Sequence, residues 1–262
     1  MLRYLRLYAC FVRFSLSRAM EFRVDFFFRV VMDIVFYAVH LAFFTVLYRH
    51  TEILGGWDLD QIYVFAAGLF VIDALQMTIF SNNLWWLPIF INRGDLDYYL
   101  VRPVSSLFFL SVRDFAANSV LNVLIAFGIL VWALGRYPEP LGWVEVVSFV
   151  VLLGLGTYLQ YLVRMAFIVP VFWLHSARGL DEIAWSFHKL SQRPHRIYAP
   201  FLRWAMLTVI PVAFFGSFPA AVLFDGLTPV AVLHAMAVTA MLLAFVRWFW
   251  NRGLRAYSSA SS

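Results

Sequence analysis

The chain has 262 residues, of which 63% are hydrophobic and 13% charged, with a mean hydropathy of +0.80. Soluble domains run nearer half apolar and a quarter charged, so a water-soluble globular enzyme is excluded. The net charge is +5, yet the basic residues are scattered among apolar runs rather than gathered in one stripe, which points to membrane orientation and away from nucleic acid.

In chain order, residues 1 to 25 read as an interfacial helix lying on membrane lipid. At 100° per residue, Arg3, Arg6, Arg13 and Arg18 share an arc of about 140°, with Leu5, Tyr8, Ala9, Val12, Leu16 and Ala19 opposite. The same arginines interrupt any signal-peptide core, so the segment is expected to stay in the mature protein. Apolar stretches follow at about 26–48, 61–81, 107–134, 144–173, 204–224 and 228–249, each long enough to cross ~30 Å of hydrocarbon. The expected fold is all-α: a single polytopic transmembrane domain over 1–262, with a six-span bundle over 26–249 and a cytoplasmic tail over 250–262.

Two topologies compete between 164 and 224. In the favoured one, 179–192 is a cytoplasmic amphipathic helix with Leu180, Ile183, Ala184, Phe187 and Leu190 on one face, and 204–224 is the fifth span. In the other, 179–192 crosses and 204–224 is a re-entrant hairpin on the outer side. The first avoids burying Asp181, Glu182, His188 and Lys189, at about 2.5 to 3.5 kcal/mol for each charge near the midplane. With the first topology, 16 of the 20 cations fall on one side, including Arg178, Lys189, Arg193, Arg196 and Arg203. Cations are retained in the cytoplasm, so both termini are expected there.

The connection from Asn82 to Pro103 packs aromatics, acids and arginines into what reads as a short cytoplasmic loop. A short helix would present Trp85 and Trp86 to membrane or neighbour and stop at Gly94, leaving Asp95 and Asp97 exposed, with Arg93, Arg102 and Pro103 around them. A structural turn and a docking surface for another protein both fit this pattern. Inside the spans, Asp33, Asp73, Gln76, Asn118 and Asn122 are candidate functional polar groups. Arg29 and Asp33 are spaced to pair on one helix face, and Asn118 and Asn122 to bond a neighbouring helix. Asp73 has no cation three or four residues away and needs a partner on another helix or a hydrated cavity.

Several chemistries are excluded. Lys189 is the only lysine and does not follow a glycine-rich loop, so the chain carries no P-loop. Cys10 is the only cysteine, which rules out an intrachain disulfide and a cysteine zinc site. No metal or catalytic motif is present among the dispersed histidines, although His188 and His195 could approach each other on the cytoplasmic side.

The stretch RGDLDYYLVRP, Arg93 to Pro103, resembles the permease subunits of type-2 ABC exporters. The pieces GGWD at Gly55, RPHRIY at Arg193, IPVAFFGSFPA at Ile210 and the ending RGLRAYSSASS from Arg252 extend the likeness over nearly the whole chain, toward a bacterial branch with paired permeases. The resemblance implies a multi-pass protein of the bacterial inner membrane, and a coupling helix after the second span seated in an ATPase groove. It implies two copies of a separate ABC ATPase, which would hold ATP and Mg2+, and a second permease, related but different or identical. It also implies re-entrant helices before the last span, and no cofactor in this chain. Rival readings are an integral membrane acyl or phosphoryl transferase built on Asp73 or on His188 and His195, and a passive channel or scaffold.

Overall fold

The structure is a computed structural model that describes residues 2–19, 23–176 and 178–257. It is all-helical, 81% helix, with five helices long and apolar enough to span a membrane among the described residues.

Helix α1 (Leu2–Ala19) packs beside α6 (Ser106–Val112), with Tyr4 edge-on to Phe108 at 4.9 Å and Phe11 edge-on to Phe109 at 5.2 Å. Its bundle-facing side runs through Leu7, Tyr8, Phe11 and Ser15, a step around the helix from the expected apolar face, so Leu5 stays exposed. Helix α2 (Arg23–Leu47) contains the first span, Val30–Leu47, which buries only Tyr37 and Phe44 fully and leaves broad apolar faces open. The Tyr37 hydroxyl donates to Asn122 Oδ1 at 2.7 Å, which fulfils the expected role of Asn122 as a tie between helices.

Helix α3 (Leu59–Gln76) starts on a reciprocal cap: Asp58 accepts from the Gln61 backbone at 2.8 Å and Gln61 accepts from the Asp58 backbone at 3.0 Å. It is apolar on every side and correspondingly central. It runs through a π turn at Met77–Ser81 into α4 (Asn82–Arg93), giving one continuous 35-residue helix of about 50 Å. The expected break at Asn82 is therefore absent. Asn83 is held inside the helix because its amide donates to the Ile79 and Asp114 carbonyls at 3.1 and 2.8 Å and accepts from the Asp114 N–H at 2.9 Å. The helix ends at Gly94, whose φ of 81° is the left-handed cap expected there.

A short α5 (Asp97–Leu100) precedes α6, and the expected span 107–134 is broken: α6 stops at Val112, and α7 (Val120–Arg136) carries the crossing. Asn118 sits in the turn Ala117–Ser119 at the start of this span, not in its middle. Helix α8 (Trp143–Ile168) continues into α9 (Val171–Leu174), close to the expected 144–173. Helix α10 (Arg178–Ser191) is followed by α11 (Pro200–Thr208), a 3-10 turn Val212–Phe215, α12 (Ser217–Asp225) and α13 (Pro229–Ala256), the last capped by Thr228.

The favoured topology of 164–224 is overturned by what its two ends touch. At His175 the chain accepts from Asn92 Nδ2 at 3.3 Å, at the Gly94 end of the bundle. By Arg196 it has reached the opposite end, where the guanidinium pairs with Asp225 and lies 5.6 Å over the Trp57 ring. The segment between, with α10 in it, has travelled from one end to the other. Because Arg196 and Asp225 pair, residues 200–225 enter and leave at the same end of the bundle, as a helical hairpin. The polar groups of α10 are accommodated individually: Glu182 and Lys189 are exposed, Asp181 is exposed but within electrostatic reach of Arg164 on α8, and His188 lies against Asp73. Arg196 and Arg203 consequently stand at the acidic end and not with the other cations.

Candidate coupling surface and intramembrane polar site

The Gly94 end is built by stacking arginines on rings. Arg113 lies 4.7 Å over Phe90 and 4.8 Å over Tyr99, and bonds the Tyr99 hydroxyl; Arg102 lies 4.7 Å over Phe109. These braces join α4, α5 and α6. Leu96 is fully buried and anchors α5, while Tyr98 and Val101, 72% and 83% exposed, point outward. Trp85 and Trp86 are exposed on α4, at 70% and 44%, and belong to the side of the long helix and not to a loop.

Arg93, Arg102 and Pro103 are exposed, but Asp95 and Asp97, expected to be exposed, are half-buried. Both carboxylates lie within electrostatic reach of the Tyr257 hydroxyl, which burial and then the neighbouring Asp97 push above the usual tyrosine range. The ends of α5 and α13 therefore lie close, a proximity no local pattern reveals.

The second site lies inside the bundle. Gln160 on α8 donates through Nε2 to Asp73 Oδ1 at 2.9 Å, and the same nitrogen lies 3.4 Å from His188 Nδ1. His188 Nε2 lies 3.7 Å from Asp73 Oδ2. Asp73 therefore finds its partners on α8 and α10, with Arg164 and His40 within electrostatic reach. Sequence reasoning singled out Asp73 but placed His188 at a surface with His195. The two histidines are in fact apart: the His195 N–H donates to Ser217 Oγ at 2.9 Å, at the hairpin end. Gln76, one turn beyond Asp73, is buried with neither amide atom bonded. Asp33 lies one turn from Tyr37 on α2, and the Arg29 side chain expected to pair with it lies outside the described residues. No group of three or more metal-ligating side chains occurs among the described residues.

A family described as ABC-2 family transporter protein matches residues 34–261. The chain belongs to this family: it is a multi-pass integral membrane protein, the type-2 permease of an ABC transporter, and a transport subunit rather than an enzyme. Membership implies an ABC ATPase as partner in general. Comparison with curated proteins and with solved structures found no match.

Proposed function

We propose that this permease forms one half of an export path in a bacterial inner membrane, with both termini cytoplasmic. A second permease, related or identical, completes the path, and two copies of a separate ATPase holding ATP and Mg2+ drive it. The observation that carries this reading is the outward face of α5. Tyr98 and Val101 are large, apolar and exposed beyond the end of the 35-residue helix, on a platform braced by Arg102 and Arg113. A face of this kind at the cytoplasmic end suits a groove in a soluble ATPase, and makes α5 with its flanks, Arg93 to Pro103, the coupling helix.

The remainder of the architecture fits around that lever. Helix α1 lies along the inner leaflet; α2, the α3/α4 rod, α7, α8, α10 and α13 are the six spans; and 200–225 is the outer re-entrant hairpin. Closure of the ATPases pushes α5 and the rod, and the packed spans alternate the access of the path between subunits.

The test is to replace Asp97 with Asn together with Arg102 with Ala and measure nucleotide hydrolysis in the reconstituted complex. Loss of the stimulation conferred by the permease is expected. Unchanged coupled hydrolysis rejects the role of this segment, and conductance or assembly indifferent to ATP favours a passive channel or scaffold.

A further inference from the structure

The most demanding polar arrangement away from the coupling surface is Asp73 with Gln160 and His188. It joins three helices by side chains alone. Asp73 and His188 are largely withdrawn from the surface, at 22% and 13% side-chain exposure, so a lost donor is poorly replaced. Gln160 Nε2 is a donor, so His188 Nδ1 can accept from it while the other ring nitrogen, Nε2, faces Asp73.

The surroundings of α10 give this link a mechanical meaning. Past its C-terminal end, the chain is pinned: His195 bonds Ser217, and Arg196 pairs with Asp225 while covering Trp57. Over the rest of its length, α10 packs on α8 and on the Val212–Phe215 turn, with Asp181, Glu182, Trp185 and Lys189 exposed. Asp73 stands on the same unbroken helix as Arg93, next to the α5 lever. A displacement applied at Gly94 reaches Asp73 through helical backbone, and reaches α10 through His188.

We infer that Asp73, Gln160 and His188 are positioning residues that make α10 follow the α3/α4 rod while the hairpin end stays still. This rests on the proposed driving of the rod by an ATPase. The experiment uses the full chain with its co-purifying ATPase in lipid nanodiscs, in a Cys10→Ser background. Spin labels are placed at the exposed positions Met77 on the rod, Trp185 on α10 and Val131 on α7. Distances are read with and without a non-hydrolysable nucleotide.

In the otherwise unsubstituted complex, the nucleotide should change the 131–185 distance and leave 77–185 constant. In His188→Ala, the change should move to the 77–185 pair, and His188→Gln, which can still accept from Gln160 and donate to Asp73, should restore the first pattern. Asp73→Asn gives the same reading as His188→Ala if the latter does not assemble. If α10 follows the rod equally well in both the Ala and Asn variants, the relay is overturned while the driven rod stands. If no pair responds in the unsubstituted complex, the driven rod falls and the relay with it.

Discussion

Both ends of the bundle stack arginines on rings, and the hairpin end, where Arg196 covers Trp57 and Arg136 covers Tyr63 and Trp132, adds charged ties. At the hairpin end the ties are directed and charged: Arg196 to Asp225, Arg136 Nε to Asp60 Oδ1 at 2.9 Å, and the Asp58–Gln61 cap. At the Gly94 end, Arg102 and Arg113 lie over aromatic faces. An ion pair loses its energy when its atoms separate, whereas a guanidinium can slide over a ring and keep most of its attraction. With ion pairs added to its ring stacks, the hairpin end is the better fixed of the two, which suits the proposed driving of the permease from the Gly94 end.

The sharpest way to break the hairpin end is at Gly156. A Cβ there would collide with the Phe214 carbonyl oxygen and approach Ile72 Cδ1 at 2.8 Å, so α8 and the hairpin would have to part. Gly156→Leu should cost more than about 3 kcal/mol, seen as loss of monodisperse protein in detergent. The next effect is pH-dependent. Burial, reinforced by Arg196 and Arg203, pushes His195 down to about 4. A histidine held neutral in the fold contributes its full share above its unfolded value of about 6.5, and that share is lost as pH falls from there toward 4. The loss is on the order of 3 kcal/mol, so the thermal midpoint should fall between pH 7 and 4.5, and His195→Asn should flatten the slope.

At the Gly94 end, Tyr98→Asp with Val101→Asp should weaken ATPase binding by about 2 kcal/mol, roughly thirtyfold in Kd. Binding measurements should register this while the thermal midpoint of the permease alone stays put. Arg113→Ala removes two ring contacts and a hydroxyl bond, and should lower that midpoint by the equivalent of about 1 to 2 kcal/mol. Gln76 lies between the two ends with its amide unbonded, and Gln76→Met should raise stability by about 1 kcal/mol.

The spans were legible where apolar runs are long: 26–48, 144–173 and 228–249 each fall on a single helical run. Hydropathy misled where polar residues have remote partners. Asn82 and Asn83 read as a break, but the Asp114 backbone satisfies Asn83 inside the helix. The stretch 107–134 averaged over a real break at residues 113–119. Charges made α10 look confined to one end of the bundle, because the meeting of His188 with Asp73, 115 positions away, is reported by no periodicity. The stretch Asn82 to Pro103 stood out by composition, and Gly94 as the end of its helix. The closeness of Asp95 and Asp97 to Tyr257 was not legible, since it depends on where α13 ends.

A lever worked from inside the cell must place α5 on the cytoplasmic face of the membrane. In a Cys10→Ser background, a single cysteine at Tyr98 and another at Glu52 can be treated with a membrane-impermeant maleimide before and after the cells are opened. The account predicts that Glu52→Cys is labelled in intact cells and Tyr98→Cys only once the membrane is breached. Labelling of Tyr98→Cys in intact cells would contradict it.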